Sequence, residues 1–430
     1  MKQLAKRLLV LSFDAMGSKD LEKVKNYPNF KRLLDGASFS NQVQSVSPSL
    51  TYPAHTSIIT SSWPKTHGII ANTRMQVNRE SPDWYWQRKF IKVETLYDQA
   101  IKEGMKVAAL LWPVTAKSKI QYNFPEIFAN RPWQNQVLVS LLNGSAAYQY
   151  KLNKKFKHLR KGIDQPWLDD FVEASLLETI KTHRPELILS HFVDLDSMRH
   201  QHGYDSKQAQ EALIRHDKRL GRILDLLEEE KLDKETVVVL LGDHDHRPTH
   251  SVISLRRLLL DKGLIRYKDD QIESYDVMTK TADGSTYIYL KDQSMIDKMR
   301  LLLKEFKESS QAIDKILEKD EIIEYGADPQ ADFLVNAKAG YYFTDRLEKM
   351  VINKIETDQN GAKEGYLLSS HGYLSDDEDY QTIFIIKGPG IKADYDIGPM
   401  HLIDQGVTFA KILGLSLANA QGRILEEIFE

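Results

Sequence analysis

Six short, largely apolar runs punctuate this chain: LLVLSF (8–13), VAALLW (107–112), LILSHFV (187–193), VVVLL (237–241), GYLLSS (365–370) and IFII (383–386). Their length and near-continuous apolarity predict strands buried on both faces of a parallel sheet, because a strand with one wet face would alternate. Amphipathic stretches lie between them. In SKQAQEALIRHDKRLGRILDLLEEEKLD, residues Ala209, Leu213, His216, Leu220, Ile223 and Leu227 fall on one face at helical spacing. The alternation predicts an α/β fold with a mostly parallel, doubly wound sheet and helices on both faces. At 430 residues the chain is read as one large domain, 1–430, carrying a smaller inserted subdomain.

In a doubly wound sheet, ligands bind beyond the carboxyl ends of the strands. Four of the runs end there in Asp or His: the first delivers Asp14, and the others lead into DLDSMRHQHG, GDHDHRPTH and SHGY. Asp196 and His200 are four apart, so one helical turn brings both to one ion; Asp194 and His202 compete for the same positions. Adjacent Asp243 and His244 chelate one ion only if the chain has left the strand, and Gly242 allows that departure. His371 lies between Ser370 and Gly372, where a glycine lets the backbone approach a metal closely. His246 and His250 read as neighbours of the Asp243 cluster or as a solvated loop, and His216 as a hydrogen-bonded core histidine.

The sequence PSLTYPAHTSIITSSWPKTHGI (48–69) contributes Thr51, whose place before Pro53 and an apolar-spaced run suits an ordinary helix cap. A nucleophile at a helix N-terminus also fits these residues, though on local sequence alone the cap is the favoured reading. With no cysteine, the chain forms no disulfide and must bind metal through His and carboxylates. A net charge of -3 gives no reason to expect nucleic-acid binding or general membrane-surface binding. The apolar run ending at Asp14 is too short for a signal peptide or a membrane span, so a soluble, cytoplasmic protein is expected. Nothing in the sequence sets an oligomeric state.

Read in order, SFDAMG, SLTYPAHTSIITSSWPKTHGIIAN, DLDSMRHQHG, LLGDHD, SSHGY and IFIIKGPGIK resemble the nucleotide pyrophosphatase/phosphodiesterase family of the alkaline phosphatase superfamily, from Asp14 to about Gly414. The resemblance implies an alkaline-phosphatase-like fold and two divalent ions, Zn²⁺ or else Mn²⁺. One would be held by Asp14, Thr51, Asp243 and His244, the other by Asp196, His200 and His371. Two dications against three carboxylates leave about one positive charge for a phosphate. It further implies Thr51 as the nucleophile of a two-step phosphoryl transfer through a phosphothreonine. Asn72 would donate to a non-bridging phosphate oxygen, and Tyr52 would offer a ring face to a nucleobase. His191 stands where nucleotide-binding members carry a second aromatic. Segments 75–180 and 262–345 resemble the family least and are expected to form insertions, with 262–345 a cap that selects a small-molecule phosphodiester or nucleotide. The alternatives are a phosphomonoesterase, phosphonate hydrolase or phosphomutase of the same superfamily, and a catalytically silent protein that binds phosphorylated ligands. Arg74 would supply the charge a monoester needs.

Overall fold

In the computed structural model, which describes residues 3–79, 81–358 and 361–430, the first apolar run becomes the central strand Arg7–Phe13. It pairs in parallel with Leu187–Phe192 on one side and Thr236–Leu241 on the other. The nine-stranded sheet runs Tyr395–Asp396, Ser38–Gln44, Thr382–Lys387, Thr236–Leu241, Arg7–Phe13, Leu187–Phe192, Val107–Leu110, Tyr122–Phe124, with Met400–His401 also paired to Ser38–Gln44. Thr382–Lys387 enters antiparallel to both its neighbours. The expected doubly wound, mostly parallel core is therefore present with one reversed strand.

Alternate residues of the central strands face opposite cores. Leu8, Val10, Leu187, Leu189, Val237 and Val239 pack with Ala54, Ile58, Phe409 and Ile412 on one side. On the other, Leu9, Leu11, Ile188 and Leu240 pack with Leu213, Leu220 and Ile223 of the helix Lys207–Glu229. Ser206 caps that helix by accepting the Ala209 N–H. Burying each such aliphatic side chain contributes about 1.5–3 kcal/mol, which is how the amphipathic stripe read from the sequence fixes this helix to the sheet.

Two expectations fail. The run 365–370 is not a strand of the central sheet; only Ser369–Ser370 is extended, paired antiparallel to Arg247–Ile253 in a separate sheet. Its apolar part, Tyr366 to Leu368, is only three residues and half-buried, too little to cross a core. Segment 75–180 is not wholly an insertion either, since Val107–Leu110 and Tyr122–Phe124 extend the central sheet. By contrast, within 262–345 the strands Val277–Ala282, Ser285–Leu290, Phe333–Ala337 and Ile313–Glu318 form their own antiparallel sheet. Met299, Leu303 and Phe306 of the helix Ile296–Ser310 share a separate core with them.

Strand register sets the level of the site. Ser12 lies opposite both His191 and Leu241, so Asp14, the segment after Phe192 and the segment after Leu241 emerge side by side. The strand stops at Leu241 because Gly242 must slip between Met16 and Thr382: a Cβ there would lie 2.1 Å from the Met16 carbonyl oxygen and 2.2 Å from Thr382 Oγ1. Gly372 serves a different close approach from the one expected. With φ of 81° it passes the carbonyl of Ala282, from which a Cβ would stand 1.8 Å away, so it seats the inserted sheet rather than a metal.

Candidate active site and metal centre

Thr51 opens the helix Thr51–Thr60, and the residue before it, Leu50, occupies the cap position without a side-chain bond. The capping role that the local sequence suggested is thus absent, and the threonine hydroxyl points elsewhere: Oγ1 lies 3.2 Å from His244 Nε2. That nitrogen is also 3.3 Å from Asp14 Oδ1 and 3.2 Å from Asp243 Oδ2. All four residues expected around one ion therefore converge.

The way each carboxylate is held tests whether this cluster suits a cation. Asp14 Oδ2 meets His191 Nε2 at 3.0 Å, and Asp243 Oδ1 accepts the Ala15 N–H at 3.1 Å. Their other oxygens, Asp14 Oδ1 and Asp243 Oδ2, are buried without a hydrogen-bond partner and turn toward His244. A buried, unsatisfied carboxylate oxygen is costly, and a divalent ion is the group that satisfies a pair of them. Burial pushes both carboxyls up, Asp14 well above its ordinary range with Asp243 and Asp196 adding repulsion, and Asp243 to about 7. Burial also holds His244 low, with the His371 ring beside it, so the imidazole stays neutral and able to ligate.

The second cluster gathers on Asp196. Its Oδ1 is 3.3 Å from His200 Nε2 and 3.7 Å from His371 Nε2, which joins the three residues expected around the second ion. Burial would raise Asp196, but His200 and His246 beside it outweigh that and hold the carboxyl well below its usual range. Mutual separations within 4.8 Å link the donor atoms of Asp14, Asp243 and His244, and again those of Asp196, His244, His246 and His371. His200 stands outside the latter mutual set although its ring faces the same carboxylate oxygen. The competitors are engaged elsewhere or remote: Asp194 is held by Arg215 and Arg219, and His202 lies in neither cluster.

Asn72 accepts the Tyr52 N–H on Oδ1 at 2.9 Å, a bond that satisfies one orphan donor at the start of the Thr51 helix. Its Oδ1 being an acceptor, the Nδ2 amide is the end available to a ligand. Arg74 lays its guanidinium over the Phe90 ring at 4.9 Å. Tyr52 does not offer the ring face expected of it. It is 0% exposed and packs edge-on against Trp84, because every residue of Thr51–Thr60 is buried and the helix has no open side there.

Three residues carry more than the sequence suggested. His191 is wholly buried and cannot stack on a ligand; it donates from Nδ1 to the Leu111 carbonyl and so orients Asp14 through Nε2. A single histidine near the end of an otherwise apolar strand was the available signal. Lys280, on the inserted sheet, is a buried cation bonded to Thr73 Oγ1, the neighbour of Asn72. His246 is buried, unlike exposed His250 four residues on. His216 is a core residue as expected, stacked 4.3 Å from Phe13, but its ring nitrogens have no hydrogen-bond partner.

The fold and the paired acid and histidine clusters define an alkaline-phosphatase-like architecture with a candidate two-ion centre. The chain belongs to the type I phosphodiesterase / nucleotide pyrophosphatase family, whose profile matches residues 8–374. It is 25% identical over 234 residues to ectonucleotide pyrophosphatase/phosphodiesterase family member 3 of Bos taurus, covering 52% of this chain and 23% of that protein. With ectonucleotide pyrophosphatase/phosphodiesterase C27A7.1 of Caenorhabditis elegans it shares 23% identity over 414 residues, 95% of this chain and 43% of the relative. The chain thus spans less than half the length of these curated relatives. Among solved structures, murine ectonucleotide pyrophosphatase/phosphodiesterase 5, an inactive threonine-to-alanine variant in complex with AMP, superposes with a TM-score of 0.69 at 19% identity over 100% of both chains.

Loading the centre is expected to release protons. Burial raises Asp14 and lifts Asp243 to about 7 in the metal-free protein, whereas only the carboxylates bind an ion, so affinity should rise as pH increases toward about 7. Calorimetric titration in two buffers of different ionisation enthalpy measures this. A pH-independent affinity with no proton release at pH 6 would contradict the arrangement.

Proposed function

We propose that this chain is a phosphodiesterase or nucleotide pyrophosphatase that acts through a phosphothreonine on Thr51. The observation that carries the reading is the Thr51 hydroxyl: buried, free of any capping bond, and set among Asp14, Asp243 and His244. Zn²⁺, or else Mn²⁺, held by Asp14, Thr51, Asp243 and His244 and by Asp196, His200 and His371, would supply positive charge to phosphate oxygens and favour the threonine alkoxide. Thr51 Oγ1, having given its proton to solvent, attacks phosphorus; the Oγ1–P bond forms as the ester P–O bond breaks and the leaving oxygen takes up a proton. Water then cleaves the phosphothreonine and restores the hydroxyl. The helix N-terminus behind Thr51 adds partial positive charge. The inactive threonine-to-alanine form of the murine neighbour, and the AMP bound to it, accord with a threonine-dependent reaction on a nucleotide-sized substrate.

Asn72 points to the charge of the substrate. A neutral amide suits the single non-bridging charge of a diester better than the two of a monoester. The buried inserted sheet beside Gly372 is read as the cap that selects what the diester carries. A chromogenic diester is therefore expected to show kcat/KM at least about 10-fold above p-nitrophenyl phosphate, roughly 1.4 kcal/mol in transition-state binding. Asn72→Ala should lower the diester rate on the order of 10²-fold. The reverse preference, with Asn72→Ala nearly silent, would make the protein a phosphomonoesterase. No turnover of any ester with metal added would leave a ligand-binding protein.

A further inference from the structure

The Asp196 carboxylate turns one oxygen, Oδ1, toward three imidazoles: His246 Nε2 at 2.8 Å, His200 Nε2 at 3.3 Å and His371 Nε2 at 3.7 Å. The nearest of the three is the one so far given no part. What each ring presents to Asp196 is decided by its other nitrogen. His200 Nδ1 meets the Ser369 carbonyl oxygen at 2.8 Å, and His371 Nδ1 meets the Ser49 carbonyl oxygen at 3.3 Å. A carbonyl only accepts, so both Nδ1 atoms carry hydrogen, and each ring turns an Nε2 lone pair inward once any proton on Nε2 has been released to solvent as the ion binds.

His246 arrives at the same state by a longer route. Its Nδ1 is 3.2 Å from Ser369 Oγ, and that hydroxyl gives its one hydrogen to the Arg247 carbonyl at 3.1 Å. With that hydrogen on the Arg247 carbonyl, Ser369 Oγ accepts from His246 Nδ1–H, and the neutral ring has its Nε2 lone pair for a cation. Nε2 and the carboxylate oxygen stand 2.8 Å apart, a distance spanned by a proton in the metal-free protein and by shared ligation when a cation takes the proton's place. The separations fit: donors bound about 2.0 Å from one tetrahedral ion lie about 3.3 Å apart.

Resting on the two-ion reading above, we infer that His246 is a fourth protein ligand of the second ion, which is held by Asp196, His200, His246 and His371. A single serine, Ser369, positions two of these rings, His200 through its carbonyl and His246 through its hydroxyl. With one carboxylate and three imidazoles this ion sits in the more nitrogen-rich of the two sites, the kind that suits Zn²⁺ and Co²⁺ over Mg²⁺.

The test is proton NMR of the full chain loaded with Co²⁺, in which the ring N–H of each imidazole bound through Nε2 appears as an exchangeable, strongly shifted resonance. The wild-type spectrum is expected to hold four such signals, one from His244 of the first site, whose Nδ1 is buried, and three from His200, His246 and His371, whose Nδ1–H groups are all bonded. His246→Gln should remove one of them and weaken one of the two ions by more than about 100-fold in chelator competition, beyond the usual effect of an outer partner. If Co²⁺ binds but the wild type shows only three such signals, and His246→Gln keeps all three, His246 is a hydrogen-bond partner of Asp196 and the inference is wrong. If no Co²⁺ binds and no shifted signal appears, the two-ion reading falls with it. The wild-type count decides the matter even if the variant does not fold.

Discussion

Thr51→Ala is expected to lower diester turnover by on the order of 10³-fold or more, about 4 kcal/mol in the barrier, while the protein melts close to wild type. The two halves of that expectation come from one geometric fact. The Thr51 side chain makes no capping bond, so its loss leaves no helix donor unsatisfied and should cost less than about 1 kcal/mol of stability. Its hydroxyl lies among Asp14, Asp243 and His244, so its loss removes the group that attacks. Thr51→Ser should keep measurable turnover, since the hydroxyl is retained. Steady-state kinetics beside a thermal melt measures both, and near wild-type turnover in Thr51→Ala would end the covalent reading.

Stripping divalent ions with a chelator is expected to abolish turnover by on the order of 10³-fold and to lower the melting temperature, with Zn²⁺ or Mn²⁺ restoring both. The stability effect follows from linkage: a free ion at 1,000 times its dissociation constant adds about 4 kcal/mol per site. The unsatisfied oxygens of Asp14 and Asp243 say why the metal-free centre is poorly compensated. Scanning calorimetry of chelated and reloaded protein reads the shift. A chelated protein that stays active and melts unchanged would show that these clusters do not serve a cation.

The central strands could be read from the sequence because burial on both faces writes itself as an unbroken apolar run, and residues after such runs inherit the sheet's register. Hence Asp14, Asp243 and His244 were legible, as was the Asp196 and His200 pair on its helical turn. Thr382–Lys387 was legible as a strand but not as a reversed one, since direction leaves no mark on composition. The burial of Tyr52 is not legible because a helix buried all round has no wet face to betray which residues meet solvent. His246 is ambiguous in the sequence because GDHDH reads identically whether the chain folds back into the core or runs on into solvent. Only the pairing of Arg247–Ile253 with Ser369–Ser370 turns it inward.

The bond from the Tyr52 N–H to Asn72 Oδ1 has a bearing on how this site can change over time. One carboxamide meets two demands at once, an acceptor for the start of the helix and a donor for the ligand. Lysine or arginine at this position, the simplest accommodation of a doubly charged ester, would strip the helix of its acceptor and leave a buried amide unmatched, a penalty of about 1–3 kcal/mol. Aspartate would keep the helix and repel the phosphate. A drift in substrate charge is thereby diverted away from residue 72 to side chains with no part in holding the helix.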